Sequence, residues 1–374
     1  MLVVARKNLL SERTRLAISV GGVTLSVFLI GLLLSLYRGW DQKVGGYVEE
    51  VPADLWLASE GATDFIQAGS VLPGNLRPTL ERLPEVRSAS PLIVRPLNMT
   101  RRGDAVSDAF DVQLVGYDPE ARLGGPLEVV RGKSPPGPDE VVIDEELSRR
   151  HDVQIGDELL SGSRALIVSG ISRRGDFIFT QVAYTTLETA EEFLQLNSHQ
   201  RTFYLLKLKD PADRENLVTK IRSAAPGLLL LSGGEFADET RDRLIRNILP
   251  ILIVVLIVAF IVGLAVAGLT IYTATVEKSR EYGILKAEGF TNLFLYEVVF
   301  AQSLVTAALG FALGAGLTLL VAPFAQNLVP QFVVFIRWQD VLGIAAATLL
   351  MALLAAYIPV RRLAAIDPVT VFKG

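Results

Sequence analysis

Four stretches of this chain, Leu16–Tyr37, Asn247–Tyr272, Leu293–Val321 and Val341–Val360, hold a single charged residue between them, Glu297. Each reaches the roughly 20 residues that carry a helix across a bilayer. Glycine, serine and threonine interrupt all four, as a membrane helix tolerates when its backbone groups pair internally. The first stretch is expected to remain as a span. It is too long for the apolar part of a signal peptide, and it runs into Arg38, Gly39 and Trp40 without a small-residue cleavage pattern. Half the residues are apolar and the mean hydropathy is +0.40, yet a fifth are charged. Spans joined to a large aqueous domain account for that combination; an ordinary soluble globule does not.

Charge orients the spans. Residues 1–15 carry Arg6, Lys7, Arg13 and Arg15 against Glu12, and the tail carries Arg361, Arg362 and Lys373 against Asp367. Basic residues flanking spans stay on the cytoplasmic side, so both termini are expected there. Residues 38–244 then lie outside, with 24 basic and 33 acidic side chains, a net of −9 against +5 for the remainder. Arg241, Arg243 and Arg246 run against this rule locally, diluted by Glu239 and Asp242. The acidic outer region argues against a nucleic-acid partner and is neutral about lipids and peptides.

The outer region reads as mixed α/β. "ADLWLAS" and "FDVQLVGYD" alternate as strands do. The stretch from Thr202 to Ser232 reads as strand, helix, strand, with Asp210–Pro211 opening the helix. "DEVVIDEELSRRHDVQIGDELL" reads as strand, short helix, turn at Gly156–Asp157 and strand. With no cysteine there is no disulfide frame.

Signs of catalysis fail one by one. "LEVVRGKS" ends like a phosphate-binding loop but has Leu127 where the first glycine belongs, and reads as a surface loop. His151 and His199 are too few and too isolated for a zinc site. The pairs Glu49–Glu50 and Glu145–Glu146 read as solvated surface. Inside the spans there is no Asp, Lys, Arg or His to relay protons or ions, and Glu297 sits close enough to an end to snorkel.

Between the second and third spans lies a strip with six charges, residues 273–292. "VEKSREYGILKAEG" favours a short amphipathic helix, with Glu277/Arg280 and Lys278/Glu281 as i,i+3 pairs. Tyr282, Leu285 and Ala287 form its apolar side, Gly289 a C-terminal cap and Thr291 an N-cap for the next span. On pattern alone this is either an ordinary interfacial helix or a lever that passes a cytoplasmic push into two spans. Gly263 and Ala267, and Gly310 and Gly314, are small pairs four apart that would permit close approach of a second copy.

The strip resembles the coupling-helix region of the FtsX-like/MacB-like permeases of ABC transporters, through Glu277, Arg280, Glu281, Tyr282, Gly283, Leu285, Lys286, Ala287 and Gly289. "ARKNLLSERTRLAISVGGVTLSVFLI" is similar to that family's N-terminal approach and first span, and "PVRRLAAIDPVTVFKG" to its ending. "VVIDEELSRRHDVQIGDEL" is similar to a piece of its extracytoplasmic core domain, and "DLWLAS" to the DevC-like exporter branch. The implied fold is four transmembrane α-helices with a large mixed α/β MacB-like extracytoplasmic domain between the first and second. Its parts would be residues 1–37, 38–244, 245–272, the coupling strip 273–292, and 293–374.

The implied function is a non-catalytic permease of a bacterial inner-membrane exporter. ATP and Mg would be used by a separate ABC ATPase subunit. Two permease copies would pair, possession of an adaptor of the membrane-fusion type is open, and movement would reach the outer domain by mechanotransmission. Arg280, Glu281 and Lys286 would contact the ATPase and Glu277 would orient the helix. A regulator of an envelope enzyme, a lipoprotein-extracting permease and a gradient-driven transporter are the alternatives. Because the chain has no cysteine, a single cysteine introduced near position 283 tests the topology. It is expected to resist a membrane-impermeant maleimide on intact cells and to react after permeabilisation; labelling from outside removes the four-span reading.

Overall fold

A computed structural model of the chain describes residues 13–62, 65, 69–175, 181–196, 200–328 and 333–364. Arg6, Lys7, Glu12, His199, Asp367, Pro368 and Lys373 lie outside the described residues. The helices are α1 (Arg13–Lys43), α2 (Gly46–Glu50), α3 (Arg77–Glu81), α4 (Glu145–His151), α5 (Leu187–Leu194), α6 (Arg214–Ala224), α7 (Gly233–Glu277), α8 (Ser279–Ala287), α9 (Asn292–Leu328) and α10 (Trp338–Ala364). The chain divides into two compact units, residues 1–39 with 248–374, and residues 40–247.

In the first unit, α1, α7, α9 and α10 are the helices long and apolar enough to cross a membrane. All four run past the bounds that hydropathy alone suggests, α7 most of all, with 45 residues. Their shared core is built from Val23 and Val27 of α1, Ala267 and Ile271 of α7, Leu295 and Val299 of α9, and Ala355 and Ala356 of α10. The small residues named for a dimer face pack inside this bundle. A Cβ on Gly310 would lie 2.5 Å from Val23 Cγ1, and one on Gly314 2.7 Å from Val27 Cβ. At Gly263 it would lie 2.5 Å from Ser26 Oγ and 3.0 Å from Met351 Sδ, while Ala267 is buried in the same core. At these positions small residues let helices of one chain close onto each other.

Ion pairs fasten α1 near both ends. Arg15 meets Glu277 at 2.5 Å, and Arg38 holds Asp340 with three contacts of 3.1–3.3 Å. Residues 333–337 lie along α1, where the Phe335 N–H donates to the Ser35 carbonyl. A Cβ at Gly39 would collide with the Val333 carbonyl oxygen, so only glycine admits the strand of backbone there.

The second unit contains the strands β1 (Leu55–Ser59), β2 (Leu72–Pro73), β3 (Val86–Arg101), β4 (Phe110–Tyr117), β5 (Glu128–Gly132), β6 (Glu140–Asp144), β7 (Glu158–Ser161), β8 (Arg164–Arg173), β9 (Gln181–Thr186), β10 (Gln200–Arg201), β11 (Phe203–Leu208) and β12 (Leu228–Leu231). One mixed sheet runs β12-β1-β11-β3-β4-β9-β6-β8-β5, and β7 bridges β3 and β8. The β4–β9 and β6–β8 pairs are parallel and the others antiparallel. The alternating segments fold as strands, and "DEVVIDEELSRRHDVQIGDELL" as strand, helix, turn, strand. Asp144 caps α4 by accepting from the Leu147 N–H at 2.6 Å and also takes the Val182 N–H at 2.7 Å, which ties the helix to β9. Residues 128–132, expected as loop, form the edge strand β5 because β8 supplies the hydrogen bonds.

The acidic pairs are not merely solvated. Glu49 meets Arg241 at 2.6 Å, Glu50 meets Arg174 at 2.7 Å, Glu145 meets Arg173 at 2.9 Å and Glu146 meets Arg149 at 2.5 Å. Arg173 holds the Glu145 carboxyl below its ordinary range. Arg241 is bound also by Asp238 at 2.6 Å.

An aromatic core closes one side of this sheet. Trp56, Phe203 and Phe236 pack with ring centroids 5.3–5.9 Å apart, and Phe65 stacks on Phe203 at 5.6 Å. Tyr47 and Val48 from α2 and Ala237 from α7 complete it. The α7 helix begins with a capping box: the Ser232 N–H donates to Glu235 Oε2 at 2.8 Å and the Glu235 N–H to Ser232 Oγ at 3.2 Å.

Two outcomes follow. Gly314→Leu is expected to cost about 1–3 kcal/mol by overpacking against Val27, read as a lower melting temperature of the single chain in detergent. An unchanged melt with lost self-association would instead place Gly314 at a dimer face. Glu235→Ala is expected to lose about 1 kcal/mol of cap stability at neutral pH. The Ser232 N–H, then the Ser232 hydroxyl and Arg214, lower the Glu235 pKa. Its stabilisation is thus complete above the unfolded value of about 4.3 and fades as pH falls through the lower folded value. The difference between wild type and Glu235→Ala should shrink over that acidic window, measured by denaturant melts.

Candidate functional site

The strip between the second and third spans is built by two breaks in helical geometry. The α7 helix stops at Glu277, and Lys278 leaves helical geometry with φ −86° and ψ 8° before α8 begins. This break undoes the expected i,i+3 pairs, because Glu277 and Lys278 do not share a helix with Arg280 and Glu281. Glu277 instead reaches Arg15 of α1. Arg280 and Glu281 have no hydrogen-bond or ion-pair partner among the described residues.

The C-terminal end of α8 closes as the sequence suggests. Gly289 takes φ +97°, a left-handed conformation that costs glycine little. The Phe290 N–H then reaches the Leu285 carbonyl at 3.0 Å and the Gly289 N–H the Lys286 carbonyl at 3.1 Å, a Schellman pair. Thr291 Oγ1 accepts from the Phe294 N–H at 3.4 Å and caps α9.

These two ends fix which face of α8 is hidden. Tyr282 and Gly283 are buried, and Tyr282 and Leu285 pack into the core with Ile271, Leu295 and Val299. Arg280, Glu281, Ile284, Ala287 and Glu288 are exposed, a stripe at helical spacing with Ile284 at its middle. Phe290 and Leu293 extend this apolar element past the cap. Lys286 is half-buried. Of the expected contact residues, Arg280 and Glu281 therefore lie on the open face. Tyr282, Gly283 and Leu285 hold the helix in place, Gly289 shapes its end, and Glu277 belongs to the preceding helix. Gly263, Ala267, Gly310 and Gly314 are remote from the stripe in role, filling the bundle core.

Ile284 was missed by reading residue types along the strip. Its signal is the i, i+4 offset from Arg280, which becomes meaningful once the helix start at Ser279 is known. Chemically the stripe offers one cation, two carboxylates and an isoleucine, which suits recognition of a protein groove.

Residues 16–224 match the MacB-like periplasmic core domain family, and residues 252–368 the FtsX-like permease C-terminal family. An uncharacterized ABC transporter permease of Mycobacterium bovis is 26% identical over the full length of both chains. The lipoprotein-releasing system transmembrane protein LolE of Haemophilus influenzae is 23% identical, over 94% of this chain and 92% of that one. Among solved structures, the periplasmic region of MacB from Actinobacillus actinomycetemcomitans aligns with 54% of this chain and 96% of its own, at 13% identity and a TM-score of 0.39. Both matched families are the permease side of a transporter, and neither is an ATPase domain. The chain is a multi-pass membrane protein with an extracytoplasmic domain between its first and second spans, and it belongs to the MacB/FtsX-like family of ABC transporter permeases.

Proposed function

We propose that this permease works as an exporter subunit in the bacterial inner membrane, with both termini and α8 in the cytoplasm. Each of two copies binds a separate ABC ATPase, which uses ATP and Mg, through the open face of α8. Closure of the ATPases displaces α8, and α7 and α9 carry the displacement toward the outer domain. The cargo is a lipid, a peptide or a small hydrophobic compound.

The observation that carries this reading is the one-sidedness of α8: Tyr282 and Leu285 anchor it in the bundle while Arg280, Glu281 and Ile284 face outward. A merely interfacial helix would turn its isoleucine toward lipid and its charges toward water on opposite faces. Here they are interleaved, as in a protein contact. Pro250 within α7 supports transmission, because its missing N–H removes one intrahelical bond and gives the helix a place to bend. The basic residues flanking the first and last spans, Arg13, Arg15, Arg361 and Arg362, support the orientation.

A second reading, extraction of lipid-modified proteins, draws on the similarity to LolE, a lipoprotein-releasing system protein. Depletion separates it: lipid-modified protein accumulating in the inner membrane favours extraction.

The permease co-purified with its ATPase in nanodiscs provides the test. Reversing the charges of Glu281 and Lys286, or changing Ile284→Asp, is expected to lower ATP turnover at least about tenfold, equivalent to about 1.4 kcal/mol of lost coupling, with an unchanged melt of the permease. Full turnover in all these variants removes the docking role. ATP-dependent activation of an envelope hydrolase without transported cargo moves the assignment to a regulator, and efflux from vesicles without ATP to a gradient-driven transporter.

A further inference from the structure

A cavity of about 70 Å³ lies between α1, α9 and α10, away from α8 and on the side of the bundle where Arg38 and Asp340 meet. Val27 and Leu34 of α1, Phe311 and Ala315 of α9, Ile344 of α10 and Phe335 form its walls. Ala315 lines it with a single methyl group. The two hydroxyls at the wall are already engaged: Ser35 Oγ donates to the Leu32 carbonyl at 2.8 Å and Thr318 Oγ1 to the Gly314 carbonyl at 2.9 Å. Water entering the apolar body of the cavity gains few partners, so an apolar occupant is favoured.

The mouth has the opposite character. Asp340 is 8% exposed and bound by both Arg38 nitrogens, and it also accepts from the Arg337 N–H at 3.4 Å. The Arg337 guanidinium lies 5.7 Å from the centroid of the Phe335 ring. Asp340 is bound by the Arg38 guanidinium, and the Arg337 guanidinium meets no carboxylate among the described residues. Trp338, the next residue in the chain, is 69% exposed, as aromatic residues are at the level of lipid headgroups. A dry slot inside the span, with the Arg337 guanidinium over its wall residue Phe335 and an exposed tryptophan next in sequence, has the polarity profile of an anionic amphiphile: chain inward, acid at the surface.

We propose that this cavity binds an acyl chain of an anionic phospholipid from the outer leaflet, with its phosphate on Arg337. The charge favours an anionic over a zwitterionic headgroup, because a zwitterion brings its own cation to the same rim. The slot favours a lipid over a free anion, because one exposed arginine without apolar burial holds phosphate weakly in water. Occupied, the site braces the 333–337 segment and α10 against α1. This inference stands apart from the exporter reading and from ATPase docking, since it concerns only the walls and rim of the cavity.

Trp338 supplies the readout. The full chain carrying Trp40→Phe, purified in detergent, retains Trp338 and Trp56, and Trp56 is fully buried in the outer unit and contributes a constant background. Phosphatidylglycerol or phosphatidylcholine with brominated acyl chains is titrated and tryptophan quenching recorded. Saturable quenching is expected, with half-saturation for phosphatidylglycerol at a roughly fivefold lower lipid fraction. Arg337→Gln is expected to bring the two lipids within about twofold of each other. Ala315→Leu fills the slot and is expected to abolish the saturable phase for both lipids, with Ile344→Phe closing it from α10 should the first variant not fold. Inorganic phosphate is expected not to displace the lipid. Equal half-saturation of the two lipids in the Trp40→Phe protein that retains Arg337 overturns the proposal. So does saturable quenching that survives a filled slot, or displacement by inorganic phosphate alone, which would assign a simple anion site.

Discussion

A peptide group inside hydrocarbon has no water to bond, and the membrane unit is organised around that fact. Helices satisfy the backbone, and four of the threonine hydroxyls that interrupt the spans bond backward onto their own helices. Thr270 donates to the Val266 carbonyl, Thr275 to Ile271, Thr318 to Gly314 and Thr348 to Ile344. These polar residues are thereby consumed as structure, which leaves charge to collect at the helix ends. There it does the fastening: Arg15 to Glu277 at one end of α1, Arg38 to Asp340 at the other. The first pair is too exposed to contribute more than modestly. The second is stronger in kind, because Asp340 is almost buried and receives a two-pronged arginine. Between the pairs, Val23 and Val27 fill the notches left by Gly310 and Gly314, so α1 is held along its length.

Much of this was legible in residue order, and the exceptions have physical causes. Spans are readable because a bilayer imposes a minimum apolar length, and strands such as Phe110–Tyr117 because one face must be buried. The start of α7 at Gly233 was not readable. Asp238, Arg241 and Asp242 look like an aqueous loop leading into a span, and helix is favoured there by tertiary contacts: Phe236 against Trp56, and Glu49 against Arg241. The Ser232-to-Glu235 spacing of its capping box was the one local sign. The long strand β3 was hidden by Pro91 and Pro96, which argue against a sheet interior. The structure resolves that conflict. Residues 86–92 pair with β11 and residues 92–99 with β4, so each proline has a partner strand on one side only.

The strip shows a similar division. Charge and apolarity separated Arg280 and Glu281 from Tyr282 and Leu285, and glycine marked the end of α8. Register did not follow from composition, because the break at Lys278 resets the helical phase. Glu277 then belongs to one helix and Arg280 to the next, and the open face gains Ile284. Small residues four apart posed the same difficulty: their spacing announces close approach without naming the approaching helix.

In the outer unit, the chain arriving from the first span and the chain departing toward the second enter one core. Tyr47 and Val48 follow the arrival; Phe236 and Ala237 open the departure; all four pack with Trp56 and Phe203. Gly45, at φ +88°, lets the arriving backbone turn where a Cβ would lie 2.8 Å from Ala237 Cβ. Close-packed interiors resist continuous deformation and move as blocks. Neither segment can shift without repacking the aromatic rings they share, and those rings rest on strands β1 and β11, which are hydrogen-bonded neighbours in the sheet. A displacement of the start of α7 is therefore a displacement of the α2 segment and of that side of the sheet together. The acidic clasp of Glu49 on Arg241 adds direction to this coupling, since it bridges the same two segments across the surface of the core.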